Sequence, residues 1–301
     1  MLALLEPDKD ASILFTGHVG CGKTSELNRI AAAWQNQYLV IPLQMEDETD
    51  VNDLEYTDLY LVIIKQVVLA MQQAGLQSDH DLLTSVEDWF KEVTKETEET
   101  VERSVNVHAA ASLGSEVPFL AQLLVKVMAQ IKGGSKEKVT IRQELRREVT
   151  RLKTDMNLLL RDGTQQLKQR FPDKKGFLLI LDGLDKCPPD VATRLFVDYA
   201  AQLVNLSCTV IYTVPIAILY STRKLGSFFE SPHVVPMINI YQFERGRTEL
   251  NPVPDGIAQM VDLIAYRVEV EAVVSAPTLL TTLAEASGGH IRQMMRMARR
   301  S

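Results

Sequence analysis

Cysteine and histidine are scarce in this chain, and their positions argue against disulfide bonds and against a structural metal site. The three cysteines, Cys21, Cys187 and Cys208, are far apart and lack C-x-x-C spacing. This pattern favours reduced thiols in a cytosolic protein over a disulfide framework. The five histidines form no ligand cluster, so we expect no structural metal site.

The chain also lacks an excess of positive charge and long apolar runs. Its formal net charge of −7 excludes a global basic field that would hold nucleic acid, although a local basic patch stays open. No apolar run approaches the roughly 18 residues of a membrane span, and the amino terminus has no signal-peptide pattern. We therefore expect a cytoplasmic protein without membrane association.

Hydrophobic residues, which make up 46% of the chain, are grouped in short runs typical of β-strands. Most of these runs are continuously apolar, which predicts a parallel sheet with helices on both faces. The five runs are residues 12–16, 38–43, 177–182, 209–214 and 234–241.

Helical patterns fill the intervals between these runs. Residues 58–75 and 190–204 predict helices, and an apolar spacing of three and four residues predicts a helix through residues 141–159. Residues 87–104 are polar and threonine-rich, which predicts a solvated helix or a mobile segment. We divide the chain into the first half of an α/β domain (1–77), a mainly helical insertion (78–175), the second half of the α/β domain (176–250) and a helical lid (251–301).

The most informative stretch is "GHVGCGKT", residues 17–24, which has the spacing G-x-x-x-x-G-K-T after a predicted strand and before an amphipathic helix. Glycines let successive backbone N–H groups point inward as an anion site, and the helix N-terminus adds positive potential. Lys23 supplies an ammonium for the β- and γ-phosphates in binding and catalysis, and the Thr24 hydroxyl is a ligand for Mg²⁺. The predicted nucleotide-contacting residues of the loop are Gly17, Gly20, Cys21, Gly22, Lys23, Thr24 and Ser25. The side chains of His18 and Cys21 are interpreted as loop filler.

A second acidic motif, "LDGLDK", follows the third apolar run. Asp182, at the end of that strand, is predicted to hold Mg²⁺ directly or through water. Asp185 lies past a glycine turn, and we predict that it activates the attacking water; its alternative role is to form the turn or cap a helix. Thr213, near the end of the next strand, is the candidate for a polar contact to the γ-phosphate, or else an ordinary β-branched strand residue.

The carboxyl-terminal "SGGHIRQMMRMARR" predicts a helix with Ile291, Met294, Met295 and Ala298 on one face. The arginines lie on another face. Arg292, one turn into the helix, is predicted to bind nucleotide from the lid, and the alternative is a cation that favours the helix's own carboxyl end.

Together, "GHVGCGKT", "LDGLDK", the polar strand end and "GGHIRQMMR" resemble P-loop ATPases of the additional-strand type, most closely the AAA+-related STAND and NACHT class of bacterial signalling and antiviral defence. The resemblance covers residues 1–77 and 176–301, and not the insertion. It implies a sheet of order 5-1-4-3-2, ATP with Mg²⁺, and a nucleotide-driven change in self-assembly. It also implies an arginine finger, for which Arg223 is our choice and Arg245 and Arg247 are the competitors. The simpler interpretation of each is an ordinary surface arginine.

The leading functional hypothesis is therefore a slow ATPase switch that forms homo-oligomers when ATP is bound, with the insertion as a possible arm for a protein partner. A DNA-associated ATPase is the alternative, supported only by Arg142, Arg146, Arg147 and Arg151. Pairing with nearby glutamates on a solvated helix face explains these arginines more simply. A small-molecule kinase is a third reading, with the insertion as a substrate cap.

Overall fold

The computed structural model of the chain describes residues 10–94, 118–133, 136–220, 225, 228–230, 232–242, 246, 250–267 and 277–299. The strands are β1 (Ser12–Gly17), β2 (Tyr38–Gln44), β3 (Gly176–Asp182), β4 (Thr209–Val214), β5 (His233–Val235), β6 (Tyr241–Gln242) and β7 (Asn251–Pro252). The α-helices are α1 (Lys23–Trp34), α2 (Met45–Glu48), α3 (Tyr56–Gln73), α4 (His80–Thr94), α5 (Phe119–Lys132), α6 (Lys136–Arg147), α7 (Val149–Arg170), α8 (Pro189–Thr193), α9 (Ala200–Leu203), α10 (Pro254–Ala265), α11 (Pro277–Ala286) and α12 (Ile291–Ala298).

A parallel five-stranded sheet in the order β2-β3-β4-β1-β5 forms the centre of the fold. The register of β2 and β3 begins with Tyr38 opposite Gly176 and ends with Gln44 opposite Asp182. Every residue of β3 and β4 is buried, because helices cover both faces of a parallel sheet. Counted from β5, the order is 5-1-4-3-2, which confirms the predicted P-loop α/β fold with a helical insertion and a carboxyl-terminal helical lid.

The contacts among described residues form two compact units, one from residues 1–15 and 27–233 and one from residues 16–26 and 234–301. In the first unit, one hydrophobic core contains residues of the sheet and of the insertion helices α4, α5, α6 and α7. Leu120, Leu124 and Val127 of α5 are fully buried there. Core packing thus accounts for the apolar character of α5. The segment boundaries at residues 77, 175 and 250 stay a sequence-based division.

For residues 87–104 the sequence predicts a solvated helix or a mobile segment. Their described part, 87–94, is helical, but the prediction of a solvated helix is wrong for one face. Trp89 and Phe90 lie in α4 with only 3% and 0% of their surfaces exposed, because α4 is amphipathic and its aromatic face packs in the core. Residues 95–104 lie outside the described residues. The prediction relied on the many charged and threonine residues of the segment and gave too little weight to Trp89 and Phe90, which determine which face of the helix packs in the core.

A buried ion-pair network holds α6 against the start of α3. The Arg142 guanidinium is 5% exposed and donates to both carboxylate oxygens of Asp58. It also donates to the Asp53 carboxylate at 3.1 Å and to the Asp53 carbonyl at 2.6 Å. Lys138 completes the network by pairing with Asp53. The insertion is therefore fixed to the segment that follows β2 by buried charge as well as by apolar packing.

Three predicted elements are interrupted in the structure. The run at 234–241 gives β5, which ends at Val235, and the separate short β6, since Pro236 has no N–H to donate to a sheet. The predicted helix through 141–159 divides at Glu148, whose backbone (φ −102°, ψ 25°) separates α6 from α7. The predicted helix at 190–204 consists of α8, a π-helical turn (Arg194–Asp198) and α9.

The second unit contains the loop at residues 16–26 and the helices α10, α11 and α12. Its apolar core joins these three helices around Met260, Leu280 and Met294. The predicted apolar face of α12 is confirmed, because Met294 is buried and Ile291, Met295 and Ala298 pack against this core. Across the part of the chain that the structure describes, no helix is both long and apolar enough to cross a membrane.

Candidate functional site

The glycine-rich loop connects β1 to α1, and α1 begins at Lys23 as the sequence predicts. Two backbone hydrogen bonds shape the turn, from Cys21 N to His18 O (3.2 Å) and from Glu26 N to Gly22 O (3.0 Å). Gly20 (φ 84°) and Gly22 (φ 98°) have positive φ angles, which L-residues with a Cβ rarely adopt. Alternating backbone conformations of this kind direct successive N–H groups to one side and create an anion-binding concavity.

The Lys23 ammonium lies inside this loop. Its Nζ atom donates to Gly17 O at 3.0 Å and to His18 O at 2.9 Å, and only 7% of the residue is exposed. Thr24 and Ser25 follow in the first turn of α1 and are exposed. The loop therefore presents one buried cation and two accessible hydroxyl groups at a helix N-terminus, where an anion is stabilised.

Cys21 and Gly17 occupy the inner side of the loop. Cys21 is 4% exposed, and a Cβ atom added at Gly17 would lie 2.7 Å from Cys21 Sγ and 2.6 Å from Val235 O. The backbone of β5 thus packs directly on the first glycine of the loop. This contact explains why Gly17 is needed even before any ligand is considered.

The start of α12 packs on the other end of the same loop, at Gly20. A Cβ atom at Gly20 would collide with His290 Cε1 and would lie 2.9 Å from Arg292 Cβ. The structure therefore brings Arg292, with its exposed side chain, next to Gly20 within the second unit. The nucleotide-contacting roles of Arg292 and of the seven loop residues stay predictions.

The acidic motif forms a tight turn at the end of β3. Asp182 is 6% exposed; its Oδ1 accepts a hydrogen bond from Gly183 N at 2.8 Å, and its Oδ2 accepts one from Gln44 Nε2 at 3.3 Å. Gly183 has a φ of 94°, a left-handed conformation that reverses the chain into a short 3₁₀ helix (Leu184–Lys186). The second aspartate, Asp185, lies on this helix and is partly exposed.

Thr213 supports this turn through its hydroxyl group. The Thr213 side chain is fully buried; it accepts a hydrogen bond from Leu184 N and donates one to Leu181 O. The structure therefore gives Thr213 a positioning role for the turn that carries Asp185. Its predicted contact with the γ-phosphate stays a prediction.

Sequence reasoning missed Gln44 and Glu46, which lie beside the acidic motif. Gln44 ends β2 and donates to Asp182, and the Glu46 carboxylate pairs with Lys186. The signal was available for Gln44, because a polar residue that ends an apolar strand is the same signal that selected Thr213. Glu46 gave no such signal, because its partner, Lys186, lies far away in the sequence, in the turn that follows β3.

Cys187, just after the acidic motif, is a buried thiol without a catalytic setting. Burial, aided by the negative charge of Asp185, raises the pKa of the Cys187 thiol to about 12. A thiol with so high a pKa stays protonated at neutral pH and is a poor nucleophile.

The donor set fits Mg²⁺ of the kind that nucleotides carry. No cluster of three or more His, Cys, Asp or Glu side chains that could hold a metal occurs among the described residues. Mg²⁺ is usually held by one or two protein ligands, several waters and the substrate phosphates, so a complete protein cage is not required. Asp182, in the first unit, and Thr24, in the second, would each supply an oxygen ligand of the kind that Mg²⁺ takes. That the two bind the same ion stays a prediction.

The sequence suggested roles for two sets of arginines, the candidates for an arginine finger and the basic stripe at residues 142–151. Arg223, Arg245 and Arg247, the candidates for an arginine finger, lie outside the described residues. The four arginines of the basic stripe all pair with carboxylates: Arg142 with Asp58 and Asp53, Arg146 with Glu55, Arg147 with Glu144 and Glu148, and Arg151 with Asp155.

Comparison with known families supports a P-loop NTPase domain. The KAP family P-loop domain matches residues 2–210, a range that includes Lys23, Asp182 and Asp185 and ends before the lid. A comparison with curated proteins gives no significant match. The finer resemblance to STAND, NACHT and AAA+ ATPases stays a prediction. Because the match covers more than half of the chain, and because the sheet order and the loop geometry agree with it, the chain belongs to the KAP family of P-loop NTPase domains.

Proposed function

We propose that this protein binds ATP with Mg²⁺, hydrolyses the ATP slowly, and uses its nucleotide state to control self-assembly or the engagement of a partner, in bacterial signalling or defence. The observation that carries the proposal is the packing of the lid on the phosphate loop. Gly20 contacts His290 and Arg292 so closely that a Cβ atom would not fit. A ligand that reorganises this loop therefore acts directly on the start of a lid helix.

The residues divide the chemistry between them. Lys23 and the loop N–H groups bind and neutralise the phosphates. Asp182 and Thr24 are the residues predicted from the sequence that would hold Mg²⁺, which would supply charge neutralisation. Asp185 orients the attacking water and accepts its proton, while Thr213 and Gly183 fix the turn from which Asp185 acts. Positioning and electrostatic stabilisation supply most of the catalysis in such phosphoryl transfers.

The alternatives have less support. The DNA-associated reading depended on the arginine stripe, and its four cations form ion pairs within the fold. For a small-molecule kinase, the insertion would have to serve as a substrate cap, yet the apolar faces of α4 and α5 are used in core packing. Neither alternative is favoured by a specific contact.

Self-assembly is proposed because the resemblance to additional-strand ATPases implies a positive charge that a neighbouring subunit brings to the γ-phosphate. An arginine supplied by a neighbouring subunit raises the rate by roughly 10³–10⁵ in related reactions. Specific activity should then rise with protein concentration, and Arg223→Ala should remove that rise while ATP binding persists.

The test is the molar mass by light scattering, measured without nucleotide, with ADP, and with a non-hydrolysable ATP analogue, each with Mg²⁺. We expect a larger species with the analogue alone, and the Lys23→Ala variant should stay at the mass of the nucleotide-free protein. An unchanged mass under all three conditions, with bound analogue verified by calorimetry, would leave an ATPase that is not an assembly switch.

A further inference from the structure

His290 occupies a defined position between the phosphate loop and the lid. Its imidazole edge faces Gly20: a Cβ at that glycine would collide with His290 Cε1 and would lie 3.2 Å from His290 Nε2. Gly20 has a φ of 84°, and because it has no Cβ, the ring can approach its backbone closely. The ring therefore rests directly on the main chain of the phosphate loop.

The orientation of the ring is fixed by the helix that it caps. His290 is the N-cap of α12, and its Nδ1 atom accepts a hydrogen bond from Gln293 N at 3.2 Å. Since Nδ1 accepts, the neutral ring carries its proton on Nε2. The Nε2–H group is thus on the edge of the ring that faces the loop.

The backbone of His290 is held from the other side. His290 N donates to Ser287 O at 3.1 Å, and Gly289 (φ 80°) is packed so tightly on Ile238 O that a Cβ atom would collide with it. Ser287 itself is anchored by a hydrogen bond from its hydroxyl to Ala284 O at 2.7 Å. Because the turn at residues 287–290 is held in this way, we expect a displacement of Gly20 to move α12 as a whole.

Nucleotide binding is expected to displace Gly20. The Lys23 ammonium now donates to the carbonyls of Gly17 and His18, and a bound phosphate competes for that ammonium and for the loop N–H groups. The conformation of residues 17–22 therefore depends on whether phosphate is present.

We propose that His290 is the positioning residue that couples the phosphate loop to the lid: its contact with Gly20 places α12, and with it Arg292, according to the nucleotide state of the loop. This proposal rests on the proposed nucleotide binding. It adds the residue that makes the position of the lid helix depend on the conformation of the loop. Arg292 lies two residues beyond His290, so its Cα position follows that of the cap.

Two substitutions separate coupling from simple helix capping. His290→Asn retains a side-chain acceptor for the helix N-terminus, because asparagine is among the preferred N-cap residues, but it is too short to keep the ring contact with Gly20. His290→Ala removes both the cap and the contact. His80→Asn, at the exposed start of α4, is the matched control.

The experiment is amide hydrogen exchange of the full chain with and without a non-hydrolysable ATP analogue and Mg²⁺, read in peptides covering residues 16–26 and 287–299. In the wild type and in His80→Asn, we expect the analogue to protect the loop and to change the exchange of the α12 amides by at least about fivefold, the lower end of allosteric coupling. In His290→Asn, the loop should still be protected, exchange of α12 without nucleotide should match that of the wild type, and the response of α12 to the analogue should be lost.

The two possible failures are distinct. Loop protection together with a wild-type response of α12 in both His290→Asn and His290→Ala would overturn the role of His290 and leave nucleotide binding standing. No protection of residues 16–26 in the wild type would overturn the proposed function, and the coupling proposal with it.

Discussion

The hydroxyl oxygen of Thr213 accepts a hydrogen bond from Leu184 N at 3.0 Å, and the same hydroxyl donates to Leu181 O at 3.1 Å. One buried side chain of β4 thus bridges the end of β3 and the 3₁₀ helix that follows it. The position of Asp185 is therefore set by the neighbouring strand as well as by its own turn.

Thr213→Val should destabilise the protein and impair hydrolysis more than binding. The substitution conserves shape but leaves Leu184 N–H buried without its acceptor, which costs about 1–3 kcal/mol of unfolding free energy. Urea unfolding and single-turnover hydrolysis measure the two effects. Thr213→Ser keeps the hydroxyl and should recover most of both, so equal behaviour of the valine and serine variants would contradict the positioning role.

The two aspartates should respond differently to substitution. Asp182→Asn should weaken Mg²⁺-dependent ATP binding and turnover together, because it reduces the charge of the metal ligand. Asp185→Asn should leave the Kd for ATP nearly unchanged and slow hydrolysis by roughly 10²–10⁴, the usual contribution of a positioned base. Normal turnover in Asp185→Asn would show that the base lies elsewhere.

Arg142→Met should be strongly destabilising, although Arg142 lies in the insertion. Asp58, which is 2% exposed, would then be a buried carboxylate without its partner, and breaking such a pair costs about 3–5 kcal/mol. Arg147→Met is the matched control, since its pairs with Glu144 and Glu148 are at the surface and contribute at most about 1 kcal/mol. Similar urea midpoints for the two variants would contradict the network described here.

The Asp53 carboxylate should contribute to the acid sensitivity of the fold. The hydrogen bond from Lys138, supported by hydrogen bonds and charge from Arg142 and opposed by partial burial, lowers the pKa of Asp53 below its usual value. A lowered folded-state pKa gives stability that is present above the unfolded pKa, about 3.9, and that is lost as the pH falls through the folded value. Asp53→Asn should therefore flatten the fall in unfolding free energy below about pH 4, and Lys138→Met should reproduce part of that change in the same titration.

Much of the fold could be predicted because the apolar runs carry their own signal. Four of the five strands of the main sheet agree with the predicted runs within one residue at each end, since a strand buried on both faces must be continuously apolar. The fifth predicted strand, at residues 234–241, ends at Val235. Pro236 has no N–H to donate to a sheet, so the strand does not continue, although the residues that follow are apolar. The break at Glu148 also escaped prediction, because the apolar spacing continues through it.

The site was predictable where its chemistry is local and was missed where it depends on tertiary contacts. Lys23 and the loop glycines follow from the spacing of one short segment. The contact of His290 with Gly20 joins residues from opposite ends of the chain, and the hydrogen bond of Gln44 to Asp182 joins two strands separated by the whole insertion. The apolar spacing along the sequence cannot predict such contacts, because they form between distant segments only when the chain folds.

Isothermal titration calorimetry of ATP with Mg²⁺ tests directly whether the loop of residues 17–24 is a nucleotide site. The proteins compared are the wild type, Lys23→Ala and, as the control, Lys91→Ala, which changes a partly buried lysine of α4 that pairs with Asp88. We expect binding to the wild type and to the control with equal Kd, and a loss of about 2–3 kcal/mol in Lys23→Ala, the range for hydrogen bonds to charged groups. Equal affinity in all three proteins, or no binding to the wild type, would contradict this expectation.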